Sequence, residues 1–314
     1  MSGKAPEVSV VIPCYNAEAF VAEAVGSALG QVGVRHEVIV VDDGSTDASA
    51  EILAGFGDRI TLIRQENRGE GGARNRGLKE AQGRFVAFLD ADDWWSPTFL
   101  REMLHALMDS GAGLAYCGWQ NVGISGPRAE PFVPPEYEGD NKLFALLENT
   151  RWPVHAALVD LALAREIGGF ATDLRYCADF LFWLEVGVRT RIVRVPKVLA
   201  YYRHHRPDHL STARADWALA HLEVQKRFLR RHPELRDRLG RAGVRRALYG
   251  ELRRRAYVAY WGRDLRSARR LFRRLLAAGY LRRGDLRRML PSLLPETMHQ
   301  WMVGMADRSR TVSA

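Results

Sequence analysis

Asp90-Ala91-Asp92-Asp93 follows the apolar run Phe85-Val86-Ala87-Phe88-Leu89 and leads into Trp94-Trp95. An apolar run bounded by polar residues predicts a buried strand. Carboxylates crowded at the end of such a strand repel one another unless a cation sits among them. In an extended Asp-x-Asp segment the first and third side chains point the same way, so Asp90 and Asp92 can share one metal ion. The carboxyl end of a strand in an open α/β sheet is also where ligands bind. The competing reading is a solvated acidic turn ahead of a helix near Ser96-Pro97.

Other strand ends carry similar chemistry. Pro13-Cys14-Tyr15-Asn16 follows the run Val8 to Ile12, and Asp42-Asp43-Gly44-Ser45 follows Glu37 to Val41. At such an edge Asp42 and Asp43 can accept hydrogen bonds from ribose hydroxyls or a base N–H, and Tyr15 can pack on a base. The alternatives are a tight turn capping the next helix for Asp42 to Ser45, and ordinary packing for Tyr15. Gly69 to Gly77 is a glycine-rich start of a helix that lets backbone approach a ligand. Arg74 stands where a dinucleotide fingerprint needs its third glycine, and no P-loop occurs. Arg74 and Arg76 can neutralise a diphosphate or stay solvated on the helix surface.

The elements that position these groups alternate. Strands are predicted at Val8–Ile12, Glu37–Val41, Ile60–Ile63 and Phe85–Leu89. Helices are predicted near Glu18–Leu29, Thr46–Ala54 with Ser45 or Thr46 as cap, Ala73–Ala81, and Pro97–Asp109 with Pro97 in the first turn. This alternation implies an α/β fold, a mostly parallel, Rossmann-like sheet flanked by helices. From Gly123 to Gly139 the pattern dissolves into a long loop, functional or disordered.

The frame agrees. The chain has 314 residues, 47% hydrophobic and 26% charged, which suits one large domain or one with an appendage. Its three cysteines lack metal-like spacing and point to a reducing compartment. The first residues do not read as a signal peptide, and no window nears the ~18 uninterrupted apolar residues of a spanning helix. A cytoplasmic protein is the expectation. The net charge of +9 concentrates in arginines between Arg227 and Arg288, while the acidic motifs lie in the first half.

Taken in order, Val8 to Asn16, Val41 to Asp47, Asn67-Arg68-Gly69 through Asn75, and Leu89 to Asp93 resemble the inverting family 2 glycosyltransferases. The resemblance covers roughly residues 8 to 212. It implies a GT-A fold in a domain spanning 1–212 that binds a nucleotide-diphosphate sugar, a UDP-sugar foremost. By resemblance, Pro13, Tyr15, Asp43 and Arg74 line the nucleotide pocket. Asp90 and Asp92 form the DxD element, with Asp92 the direct ligand of a Mg²⁺ or Mn²⁺ that bridges the diphosphate. Gly168-Gly169-Phe170 and Cys177 to Trp183 are similar to the family's glycine turn and Glu-Asp helix start. Here Ala178 replaces the usual Glu, and the base of the family is kept as Asp179. A carboxylate at a helix N-terminus is held ionised and ready to accept a proton. Its plainer role would be to cap the helix Phe180–Val188. The strand Val198–Tyr202 runs into Arg203-His204-His205, where the family pattern Tyr-Arg-x-His singles out His205 as a further metal ligand or diphosphate contact. His204 and His209 stand close enough to compete.

The implied reaction moves a sugar to the hydroxyl of a carbohydrate or lipid-linked acceptor, in cell-surface polysaccharide or glycolipid synthesis. Residues 213–314 form a basic helical region, with amphipathic helices at Leu222–Arg231, Val244–Trp261 and Leu265–Ala278. Leu265, Ala268, Leu271, Phe272 and Leu275 share one face for helix packing. A cationic surface also suits anionic lipid on the inner face of a membrane, with Leu293, Leu294, Trp301, Met302 and Met305 dipping in. A processive polysaccharide synthase would need membrane spans and a Gln-x-x-Arg-Trp segment after the base. A sugar-nucleotide pyrophosphorylase would need a glycine-rich signature after the first strand, where Pro13 to Asn16 stand. A basic nucleic-acid-binding protein is favoured only by the arginines, and no nucleic-acid partner is expected.

Overall fold

The computed structural model describes residues 5–205, 214–282 and 284–302. The chain divides into two compact units, residues 1–146 with 150–206, and residues 147–149 with 207–314.

The first unit is built on strands β1 (Val8–Cys14), β2 (His36–Asp42), β3 (Thr61–Arg64), β4 (Phe85–Phe88), β5 (Trp94–Trp95), β6 (Leu114–Val122), β7 (Ala157–Asp160) and β8 (Ile192–Arg203). They form one eight-stranded sheet in the order β3-β2-β1-β4-β7-β6-β8-β5. Its flanking helices are α1 (Val21–Leu29), α2 (Ser49–Ala54), α3 (Gly69–Glu80), α4 (Phe99–Ser110), α5 (Lys142–Glu148), α6 (Leu161–Glu166) and α7 (Ala178–Gly187). Strands β3, β2, β1 and β4 are mutually parallel, and every residue of β1 is buried. That burial on both faces is why this half reads as unbroken apolar runs rather than alternation.

The second half of the sheet is mixed. β7 runs antiparallel to both β4 and β6, and β8 runs parallel to β6. By direction, the carboxyl ends of β1, β2, β4, β6 and β8 share one edge with the amino end of β7. Every candidate residue lies on that edge or on a helix that starts there. The sequence reading has no counterpart for β6 or β7. β7 is a four-residue Ala-Leu-Val-Asp segment that turns straight into α6, too short for a periodic signal.

Several boundaries differ from expectation. α3 begins at Gly69, so the glycine-rich turn is itself the first turn of the helix. A Cβ at Gly77 would overlap Val11, so the glycine lets α3 lie close on β1. α4 starts at Phe99, leaving Pro97 outside it, because Trp94–Trp95 are drawn into a short strand on β8. The 123–139 loop is neither loose nor featureless. Trp119 and Phe132 exchange backbone hydrogen bonds of 2.9 Å, and buried Tyr137 packs edge-on against Tyr116 and Trp152. Its aromatic residues anchor it to Trp119 and Tyr116 of β6 and to Trp152.

The second unit is helical: α8 (Arg214–Arg231), α9 (Pro233–Trp261), α10 (Leu265–Ala277) and α11 (Leu286–Met289). α9 kinks at Gly240, whose φ of 65° lies in the left-handed region. Ala268, Leu271, Phe272 and Leu275 of α10 are buried, as their helical spacing predicts. No helix among the described residues is long and apolar enough to cross a membrane. Met305 lies outside the described residues.

Asp285 ties this unit together. Its carboxylate accepts bonds of 2.8 and 2.6 Å from Arg253, 2.7 Å from the Tyr257 hydroxyl and 3.0 Å from the Arg282 amide. The Arg253 bonds hold its pKa down at about 2, below the ordinary 3.8. A depressed carboxyl contributes stability above its unfolded pKa and loses it as pH falls through the folded value. The urea midpoint of the full chain is therefore expected to drop between about pH 4 and pH 2. Asp285→Asn should flatten that part of the curve, as followed by circular dichroism. An unchanged acid limb would show that the Asp285 cluster contributes nothing.

Candidate active site

Register brings the strand-end motifs together. Cys14 of β1 is level with Asp42 of β2, and Val11 is level with Phe88 of β4. Tyr15, Asp43 and Asp90 therefore leave the same edge on adjacent strands. Tyr15 is 52% exposed, its ring facing solvent as a platform a planar base could cover. Pro13 is buried within β1 and shapes the strand end rather than offering a surface.

The two carboxylates after β2 differ in their engagements. Asp42 accepts a 3.0 Å bond from the Ser45 amide, the tight-turn role. Asp43 accepts from the Gln65 side chain at 2.6 Å and the Arg68 amide at 2.9 Å, tying β2 to the glycine-rich start of α3. The cap expected from Ser45 or Thr46 is absent, and α2 begins at Ser49. Ser45 is instead bonded by the Asn16 amide at 3.1 Å, and Glu18 accepts from the Ala48 amide at 2.9 Å. The loops after β1 and β2 thus brace each other.

Arg74 is the electrostatic centre. Only 3% exposed, it donates through one terminal nitrogen to Asp90 at 2.6 Å and to Glu70 one helical turn earlier. Its guanidinium lies 5.2 Å over the Phe170 ring. Burial opposes its charge, but Glu70, Asp90 and Asp179 outweigh that and raise its pKa. Asn75, the next residue, clamps the glycine turn, donating to the Phe170 carbonyl and accepting from the Phe170 amide, both at 2.8 Å. Phe170 stacks on Phe182 of α7 at 4.2 Å, which fixes the helix that carries Asp179. Arg76 has no part in this cluster; it pairs with Glu80 at 3.2 Å on the surface.

Asp179 does not cap α7. The N-cap is Cys177, in the left-handed conformation, and Asp179 sits inside the first turn. Burial raises its pKa above the usual carboxylate range, against the pull of Arg74 and of the Phe180 amide. The expectation of a simply ionised carboxylate is thereby modified. The environment makes Asp179 a stronger base than a surface aspartate.

The histidines separate clearly. His204 turns to Asn121, 2.9 Å from its side-chain oxygen. The Nδ1 of His205 lies 3.6 Å from the Asp92 carboxylate, with its ring 4.3 Å from that of Phe20. His209 lies outside the described residues. Burial, then Asp93 and Asp90, push the Asp92 pKa up to about 7. One carboxylate oxygen and one imidazole nitrogen at this spacing, in a turn with excess negative charge, fit a Mg²⁺ or Mn²⁺. Asp90, by contrast, is held by Arg74.

Two contributors are missing from the sequence reading. Glu70 joins the Arg74 cluster from the first turn of α3. His155, fully buried just before β7, lies with its Nδ1 2.9 Å from the Asp93 carboxylate. Ligand-type atoms of Asp90, Asp93 and His155 all lie within 4.8 Å of one another. The spacing of Glu70 four residues before Arg74 is a helix-pair signal. Nothing local marks His155.

Comparison with known proteins gives a consistent picture. Residues 9–156 match the family model described as glycosyl transferase family 2. An uncharacterized glycosyltransferase of Rickettsia prowazekii (strain Madrid E) is 31% identical over 216 residues, 66% of this chain and 67% of that protein. The succinoglycan biosynthesis protein ExoO of Rhizobium meliloti is 41% identical over 135 residues, 42% of this chain and 39% of its own length. S. aureus TarS 1-349, crystallised with UDP-GlcNAc, is similar in structure with a TM-score of 0.61 at 22% identity, over 78% of this chain and 71% of that one. The mannosyltransferase PcManGT from Pyrobaculum calidifontis, in complex with GDP-Man and Mn²⁺, has a TM-score of 0.59 at 22% identity, over 96% and 85% of the two chains. These structural likenesses establish a GT-A type fold.

Proposed function

This chain belongs to glycosyl transferase family 2, and we propose that it moves one sugar, with inversion, from a nucleotide-diphosphate donor to a hydroxyl acceptor, with a divalent cation. The observation that carries the reading is the approach of His205 to Asp92 beside the Arg74–Asp90 pair, with Asp179 charge-coupled to that pair. Tyr15 and Asp43 take the nucleoside, and a UDP-sugar is the donor of first choice. Support comes from the relatives, one named for succinoglycan biosynthesis, and from the folds crystallised with UDP-GlcNAc or GDP-Man.

The chemistry is a single displacement. Asp179 accepts the proton of the acceptor hydroxyl as its oxygen attacks the anomeric carbon from the face opposite the nucleotide. Asp92 and His205 would hold the cation, which when bound would supply positive charge to offset that building on the leaving diphosphate. Arg74 keeps Asp90 in place through their 2.6 Å bond. Thermal unfolding against UDP-, GDP- and dTDP-sugars, with and without Mn²⁺, tests the assignment. At ~100-fold excess over its Kd, a ligand stabilises by about 2.7 kcal/mol. Stabilisation by one nucleotide class, enhanced by Mn²⁺, is the expected result. Salt-sensitive DNA binding without any nucleotide effect would sink it.

The acceptor is proposed to be a carbohydrate or a lipid-linked glycan met at an anionic membrane surface. Leu290, Leu293, Met298 and Trp301 of the helical unit are all exposed, Trp301 by 60%, near the exposed Arg287. Apolar side chains beside arginines suit the boundary of anionic lipid. The full chain is expected to float with vesicles rich in phosphatidylglycerol and to stay behind with phosphatidylcholine alone. Equal behaviour with both would remove the membrane from the proposal.

A further inference from the structure

We infer that His155, acting through Asp93, is a positioning residue that sets the spacing of Asp92 and His205 and hence the affinity of the site for its cation. This rests on the metal-dependent reading above. His155 and Asp93 are 0% and 2% exposed, and their Nδ1–carboxylate contact of 2.9 Å lies beneath the acidic turn. Neither ring nitrogen makes a well-aligned hydrogen bond among the described residues, so the close ion-pair contact with Asp93 is what tethers the ring. The ring stacks on Tyr202 of β8, with centroids 5.7 Å apart. The backbone carbonyl of His155 accepts a 2.6 Å bond from the Trp95 indole, so the residue is fixed at both ends.

Asp93 is what this anchor holds. Its amide donates to the Asp90 carbonyl at 3.1 Å, closing the turn. Its second carboxylate oxygen accepts a 2.8 Å bond from the Arg203 amide at the end of β8. Arg203 returns a bond from Nε to the Asp92 carbonyl at 2.9 Å, and its guanidinium lies 4.4 Å over the Trp94 ring. His205 follows two residues later. One buried carboxylate therefore couples the turn bearing Asp92 to the strand bearing His205. A buried ion pair seldom repays its desolvation as stability, so its fixed geometry is the better reason for its presence. Partners behind metal ligands typically change affinity by about 10–100-fold when removed.

The test uses the full chain with UDP and Mn²⁺. Free Mn²⁺ is followed by electron paramagnetic resonance, metal-free UDP binding by calorimetry, and folding by thermal unfolding. His155→Phe is expected to weaken Mn²⁺ at least ~10-fold while metal-free UDP binding stays within about twofold. His155→Asn, whose side-chain amide falls where Nδ1 lies and can donate to Asp93, should recover most of the affinity. Asp93→Asn, which keeps an acceptor for Arg203 but loses the charge, should fall between; it also serves if the phenylalanine variant fails to fold. Wild-type Mn²⁺ affinity in Asp93→Asn or in a folded His155→Phe overturns the inference. So does parallel loss of metal-free UDP binding and thermal stability, which marks a merely structural residue. Two Mn²⁺ per wild-type chain, one of them lost in His155→Phe, would overturn it in favour of a direct ligand. A wild-type chain that binds neither UDP nor Mn²⁺ would instead defeat the proposed function.

Discussion

Asp179→Asn is expected to slow sugar transfer by about 10²–10⁴-fold, the usual contribution of a general base. The substitution is nearly isosteric, and the amide oxygen can still accept from the Phe180 amide in the first turn of α7. What it removes is the ability to take a proton. Burial holds the Asp179 pKa above the ordinary range, so its ionised form costs the fold some stability at neutral pH. A neutral asparagine therefore leaves the melting temperature unchanged or slightly higher, which separates lost catalysis from lost structure. Donor binding should persist, because Tyr15, Asp43, Asp92 and His205 are untouched. The measurement is release of nucleotide diphosphate from whichever nucleotide sugar stabilises the wild type. Wild-type turnover by the variant would move the base elsewhere, with Glu70, which shares Arg74, the next carboxylate to test.

Arg74→Met is expected to destabilise the catalytic unit by about 1–3 kcal/mol, less than the ~3–5 kcal/mol of a fully buried pair because water reaches the Glu70 side chain and part of Asp90. Methionine fills much of the volume and can lie on the Phe170 ring, so the loss is electrostatic rather than steric. Glu70, Asp90 and Asp179 would then face one another without their shared cation. At roughly 2–4 °C per kcal/mol for a domain of this size, the melting temperature should fall by about 5 °C. The deficit should shrink as pH is lowered toward about 5, because protonating the abandoned carboxylates relieves their repulsion. Arg74→Lys keeps the charge on a shorter, single-point donor and should recover only part of the loss. Wild-type melting in Arg74→Met would show that the three carboxylates need no cation between them.

Both effects rest on residues readable in the sequence, but for different reasons. Arg74 is legible because the glycine-rich helix start is a local signal, and Asp179 through the resemblance of its segment to the family's helix start. Tyr15, Asp43, Asp90 and Asp92 are legible because each ends an apolar run, and parallel strands place all such ends on one edge. Glu70 stands one turn before Arg74, but an exposed-looking glutamate gives no sign that its neighbour is buried. The pairing of β8 with β6 turns His204 toward Asn121, which favours His205 in the proposed site and has no counterpart in the local sequence.

The sequence by itself determined the alternation of strands and helices, the parallel half of the sheet, the strand-end motifs and the buried face of α10. Those features follow from periodicity and from glycine and proline, which act within a few residues. Only the tertiary structure decided that β7 enters antiparallel between β4 and β6. That reversal carries His155, 62 positions after Asp93, beneath the acidic turn. Its direction and register depend on pairing between distant segments, and a four-residue strand holds no local record of them.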